Sequence, residues 1–257
     1  MIHLELNDSR LDSFRSLKGR GGLENNQIVI ESEKVIEKFL MCSSFATTIL
    51  STKEWIEETN LDISKFDNHF LLNKADMSKL VGYHYHQGVI AMASLPTSSK
   101  LEDFKGDTLI LNGVSSPENV GALVRSAAGL GFKNILFDHE SCHPFIRRCI
   151  RVSMGNIFFM KWHHTYNLKD SITKLQSLGH KVFGGANEAG SLLLTENIWP
   201  KSDCGLVIGS EGHGMSSTII DACDQILKIP MIQEVAHLNA AGAGAILMYD
   251  RFRAQLS

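Results

Sequence analysis

The chain of 257 residues has no apolar run approaching the ~20 residues that span a bilayer. Its polar, acidic start, MIHLELNDSR, lacks the basic and apolar regions of a signal peptide. Membrane insertion and export are therefore not expected. Only five cysteines occur (Cys42, Cys142, Cys149, Cys204, Cys223), with no CxxC pair. An odd number without framework spacing points to reduced thiols in a cytoplasmic protein, most of them small core residues. The chain also lacks any excess of positive charge: 25 Lys+Arg stand against 28 Asp+Glu, for a net charge of −3. Residues 1–100 hold 11 basic against 13 acidic side chains and residues 101–257 hold 14 against 15, so neither part attracts a polyanion unless its cations cluster. The dinucleotide fingerprint, the P-loop and the Gly-x-Ser-x-Gly elbow are all missing. His139, Cys142, His143 and Cys149 are spaced unlike any usual zinc ligand set, and no metal is expected.

What is present is 44 % hydrophobic and 21 % charged residues, the composition of a folded chain able to bury a substantial core. Residues 1–93 read as a small α/β domain. It has strands near 28–30, 47–50 and 88–92, and a helix in which Val35, Ile36, Phe39 and Leu40 fall at helical spacing behind an acidic first turn. Residues 94–107, SLPTSSKLEDFKGD, read as a polar linker. From 108 to 257 strand and helix alternate. Strands are expected at 108–111, 134–137, 157–160, 182–184, 205–208 and 225–229. Helices are expected at 117–129, 144–149, 168–178, 217–222 and 237–252, with His163 and His164 in a loop. This rhythm predicts an α/β fold with a mainly parallel sheet covered on both faces, whose ligands collect beyond the carboxyl ends of the strands.

Three segments at such strand ends are distinctive. In LNGVSSPENVGALVRSAAGLGF, residues 111–132, Ser116 suits a helix cap and Pro117 the first helical turn. Gly121 weakens the helix by roughly 1 kcal/mol unless something packs close to it. Glu118 and Arg125 share a face, and Arg125 reads either as a surface charge or as a half-buried group aimed at a phosphate or ribose. In GSEGHGMS, residues 209–216, glycines leave backbone N–H groups free before a helix, while Glu211 at the tip has few structural duties. In AHLNAAGAGA, residues 236–245, Asn239 reads as a helix cap and the all-small run from Ala240 to Ala245 permits close packing against a helix, a sheet or an adenine ring. The densest positive cluster is Arg147, Arg148 and Arg151 with Lys161 nearby, either a solvated helix face or a local patch that contacts phosphates.

In this order, the three segments resemble the motif set of SpoU-type RNA 2′-O-ribose methyltransferases of the SPOUT superfamily, over about residues 108–252. The resemblance implies a Rossmann-like α/β domain whose C-terminal stretch forms a trefoil knot, a rare exception to unknotted chains. It also implies S-adenosyl-L-methionine as cofactor, a homodimer with active sites near its interface, and an RNA substrate, ribosomal RNA rather than transfer RNA. Residues 1–93 resemble, more faintly, the small substrate-binding domain related to a ribosomal protein that many of these enzymes carry. Carried over by position, Asn119, Arg125, Glu211 and Asn239 fall on the catalytic motif residues. Gly184, Gly209, Glu211, Gly212, Ile229, Met231, Leu238 and Asn239 fall on the cofactor pocket. His237 stands where the family has serine, and Ala240–Ala241 where it has Val-Ser. A histidine there can donate, accept or act as a base near pH 7, but it is bulkier. Retained methyl transfer is expected. The alternatives are an inactive RNA-binding or ribosome-assembly protein with the same fold, and an unrelated doubly wound enzyme that uses a nicotinamide or a nucleotide.

Overall fold

A computed structural model of the chain describes residues 1–17, 23, 26–42, 46–188, 190–194, 198–232 and 238–256. It divides into two units, Met1–Pro96 with Phe145–Phe158, and Thr97–Pro144 with Phe159–Ser257. No helix among the described residues is long and apolar enough to cross a membrane.

The first unit contains β1 (Ile2–His3), β2 (Gln27–Glu31), α1 (Glu33–Cys42), β3 (Ala46–Ser51), α2 (Lys53–Glu58), β4 (Phe66–Leu71), α3 (Lys74–Val81) and β5 (Val89–Ser94). Its mixed sheet has the order β1-β4-β3-β5-β2. The short stretch α5 (Arg147–Val152) packs on β2 within this unit, so the second domain is not continuous from 108 to 257. The amphipathic spacing in α1 places Val35, Ile36 and Phe39 in the core. The strand β4 escaped the sequence reading because its middle, Asp67-Asn68-His69, is polar; Phe66, Phe70 and Leu71 anchor its ends.

The second unit contains β6 (Thr108–Asn112), α4 (Pro117–Gly129), β7 (Asn134–Asp138), β8 (Lys161–Thr165), α6 (Leu168–Ser177), β9 (Lys181–Gly185), β10 (Leu192–Leu193), β11 (Cys204–Gly209), α7 (Ser217–Ile220), β12 (Gln225–Lys228) and α8 (Ala240–Leu256). Its seven strands run in the order β10-β12-β9-β11-β6-β7-β8, and every pairing is parallel. The central strands β6, β7 and β11 are buried throughout, as expected of a sheet covered on both faces. Residues 94–107 are not a bare linker: Leu101 and Phe104 join the core of this unit with Ile110, Leu175 and Val207.

Two expectations fail at the edge of the sheet. The apolar stretch at 157–160 is a single 3-10 turn, Asn156–Phe159, with Ile157 buried. The strand follows it at Lys161–Thr165 and contains His163 and His164, expected in a loop. A short apolar run does not reveal its own period, and the edge strand buries little, so its sequence hardly alternates.

Candidate active site

The strand order reverses between β6 and β11, which lead in sequence to opposite sides of the sheet, and in open α/β sheets ligands collect at such a reversal, in the region beyond the carboxyl ends. Asn119 comes to it from α4, whose first turn is set by the Ser116 cap and Pro117. Glu211 comes from the loop after β11. That loop is a tight turn closed by two backbone bonds, Ser210 N–H to the Gly214 carbonyl at 3.1 Å and Gly214 N–H to the Ser210 carbonyl at 2.9 Å. Gly209 at its base admits no side chain: a Cβ would lie 2.4 Å from the backbone of Gly214 and Met215. Asn239 comes from the start of α8, where its Oδ1 accepts from Ala241 N–H at 2.9 Å and caps the helix.

The three side chains meet. Asn239 Nδ2 donates to Asn119 Oδ1 at 3.0 Å and to Glu211 Oε1 at 2.5 Å. Asn119 Nδ2 donates to the same Glu211 oxygen. Both amide groups thus aim donors at one oxygen of an exposed carboxylate, which orients it, and among the described residues no group donates to its second oxygen.

Behind Glu211 lies a cavity of about 370 Å³, within the range of small-molecule sites. Of the residues that the resemblance assigns to the cofactor pocket, Asn239 stays outside the lining, while Gly209, Glu211, Gly212, Ile229, Met231 and Leu238 line it. Gly184 does not. A Cβ there would meet Met215 and Ile226, and it is the next residue, Gly185, that opens to the cavity; a one-residue step along a strand changes face. The small residues of α8 serve two surfaces. Ala240 and Ala243 border the cavity, while Gly244 is pressed toward α4 and β11, where a Cβ would lie 2.3 Å from Leu123. His237 lies outside the described residues.

Arg125 is not brought to the trio. It is exposed on α4, and among the described residues it makes no hydrogen bond or ion pair. The basic cluster is likewise redistributed. Arg147 donates to buried Glu31 at 3.3 Å and to the Tyr83 hydroxyl at 3.0 Å, with its guanidinium over the Tyr83 ring, so it neutralises a buried carboxylate rather than facing outward. Arg148 and Arg151 are exposed on the same helix, whereas Lys161 belongs to the second unit and donates to the Asp103 carbonyl at 2.7 Å. Among the described residues no group of histidine, cysteine and carboxylate side chains could hold a metal ion.

Two supporting networks were missed in the sequence. Asn112 at the end of β6 donates to Asp138 at 2.8 Å and accepts from Ser216 N–H at 3.0 Å, tying β6, β7 and the start of α7. Asp107 and Arg251 form a buried bidentate ion pair, with contacts of 2.9 and 3.1 Å, that anchors α8 to the start of β6. Burial works most strongly against the Arg251 charge, yet its bond to Asp107 and the surrounding charges of Cys204, Asp107 and Asp203 together outweigh this and hold its pKa above the ordinary value.

Residues 107–249 match the model of the SpoU rRNA Methylase family. An uncharacterized tRNA/rRNA methyltransferase of Mycobacterium tuberculosis is 27 % identical, the alignment covering 96 % of this chain and 89 % of the relative. Among solved structures, an AdoMet-bound rRNA methyltransferase from Sinorhizobium meliloti matches with a TM-score of 0.86 at 21 % identity, covering 100 % of this chain and 99 % of that one. The SpoU methyltransferase AviRb from Streptomyces viridochromogenes, in complex with AdoMet, matches with a TM-score of 0.79 at 18 % identity, over 98 % and 99 % of the two chains.

Proposed function

The chain belongs to the SpoU rRNA methylase family, and from that premise we propose that it transfers a methyl group from S-adenosyl-L-methionine to a ribose 2′-hydroxyl of cytoplasmic RNA, ribosomal RNA before transfer RNA. The observation that carries the reading is the meeting of Asn119, Glu211 and Asn239, drawn from segments 92 and 28 residues apart, at the mouth of one cavity.

The cavity fits the cofactor. Its walls are loop backbone and apolar side chains, and Gly209 and Gly185 bring the chain close where side chains would intrude. Residues 209–212, Ile229, Met231 and Leu238 would hold it. When bound, the cofactor supplies an electrophilic methyl group. The protein's task is then to place a poorly nucleophilic hydroxyl in line and stabilise the negative charge that grows on its oxygen. Glu211, steadied by the two amides, orients the ribose through its remaining lone pairs. A guanidinium is a poor general base, so the role left to Arg125 is electrostatic stabilisation.

Arg125 stands apart from the trio within one chain, and a second copy completes the site in this reading. The exposed residues Ile246, Tyr249 and Leu256 of α8 recur on one helical face and offer that copy an apolar surface. The trefoil threading of the C-terminal stretch, the kinship of the first unit to a ribosomal protein fold, and phosphate contacts by Arg148 and Arg151 belong to the same proposal. The separation of Arg125 also supports a second reading, an inactive RNA-binding protein. Calorimetric titration with S-adenosylhomocysteine, followed by methyl transfer to RNA from cells lacking the protein, separates them. One site per subunit and transfer abolished by Arg125→Ala establish the enzyme; no cofactor-product binding by folded protein leaves the binding role.

A further inference from the structure

Tyr166 follows the carboxyl end of β8 and His139 follows that of β7, and the functional reading above gives neither a role. Tyr166 is 81 % exposed, far more than a ring that serves the core. It is nonetheless held in place: His139 stacks on it with ring centres 5.6 Å apart at 29°, and His164 packs edge-on at 5.1 Å and 72°. His164 in turn rests on buried Phe137, 5.2 Å away. A chain of rings therefore runs from the core to the solvent and ends in a fixed, open aromatic face. Burial and the neighbouring histidines keep His164 below its ordinary pKa, so that ring is neutral near pH 7.

The face is coupled to the active site. The loop that carries His139 donates from Cys142 N–H to the Val114 carbonyl at 2.9 Å, and Ser141 Oγ accepts from Val114 N–H at 3.0 Å. Residues 113–116 lead directly into α4 and Asn119. β8 lies two strands from β6, about 10 Å at ordinary strand spacing, a few nucleotides' reach along an extended RNA strand. Aromatic faces that stack on unpaired bases are the recurrent means of holding single-stranded RNA, whereas duplexes are read through backbone and shape. Glu140, beside His139, argues against phosphate as the group held here.

We propose that Tyr166, backed by His139 and His164, is a stacking platform for an unpaired nucleotide near the target ribose, which makes single-stranded rather than duplex RNA the substrate class. The inference rests on the RNA-methyltransferase reading. The test is binding of a short, labelled, unstructured RNA by full-length protein saturated with S-adenosylhomocysteine, alongside the same strand annealed to its complement. Tyr166→Ala should weaken single-strand binding about tenfold, while Tyr166→Phe stays within about twofold and duplex binding and cofactor-product affinity do not move. Single-strand affinity unchanged in Tyr166→Ala overturns the platform alone, as does equal loss for the duplex. A change of oligomeric state in Tyr166→Ala also overturns it, because the ring would then face protein. Wild-type protein that binds S-adenosylhomocysteine but neither form of RNA overturns both the platform and the RNA reading.

Discussion

Replacing Asp107 by asparagine should destabilise the second unit more than any change at its cavity. Asp107 and Arg251 are each only 4 % exposed. One carboxylate oxygen accepts from Cys204 N–H at 2.8 Å and Arg251 at 3.1 Å; the other accepts from Arg251 Nε at 2.9 Å and Gln255 at 3.0 Å. An asparagine must turn its NH₂ toward one of these donor pairs, and it leaves the guanidinium buried without a counter-charge, held by one amide oxygen and by the Pro200 and Ser202 carbonyls, at 2.6 and 2.9 Å. Breaking a buried pair from one side costs about 3–5 kcal/mol, a large part of the roughly 5–15 kcal/mol that holds a domain together. With a urea slope of about 2–3 kcal/mol per molar, the midpoint should fall by roughly 1–2 M. Trp199, whose ring lies 6.0 Å from the Arg251 guanidinium, reports unfolding of this unit by its fluorescence. The double variant Asp107→Leu, Arg251→Met removes both charges and should recover most of the loss. A midpoint shift under about 0.3 M for the single variant, or a double variant no better than the single, would refute the reasoning.

Gly209→Ala forces a Cβ to within 2.4 Å of the Gly214–Met215 backbone, and calorimetry should find S-adenosylhomocysteine binding lost or weakened at least about tenfold while the first unit stays folded. Glu211→Gln keeps the shape, and its one oxygen can still accept from both amides, but it removes the charge and puts an NH₂ donor where the second carboxylate oxygen stood, so methyl transfer should fall about a hundredfold with a much smaller change in cofactor-product affinity; equal losses in both would contradict the orienting role. Burial, and next the nearby His164, push His143 down to about 4. Since the unfolded side chain titrates near 6.5, its contribution is complete above that pH and is lost as pH falls toward 4, a few kcal/mol at most. His143→Phe should flatten the stability profile between those values, read as thermal midpoint against pH.

The alternation of strands and helices was legible because the buried strands are continuous apolar runs and α4 begins with a cap and proline where they are wanted. The meeting of Asn119, Glu211 and Asn239 was legible only through resemblance. Asn239 and Asn119 stand 120 residues apart, and no local period links a loop tip to two helix starts. The Asp107–Arg251 pair was concealed differently. Its signal was present: Arg251 falls on the same helical face as Gly244, Leu247 and Met248, all buried, and a charge on an apolar stripe demands a buried partner. What the stripe cannot say is where that partner lies, because the sheet brings Asp107 to it from 144 residues away. Arg125 is the converse case. Its motif position promised a place among the catalytic groups, yet helical geometry turns a residue six positions from Asn119 through two-thirds of a turn, so a buried Asn119 places Arg125 on an outer face. One chain cannot satisfy both sequence positions at one point, and an arginine presented outward from the helix that carries the site is what a neighbouring copy, or the RNA itself, would meet first.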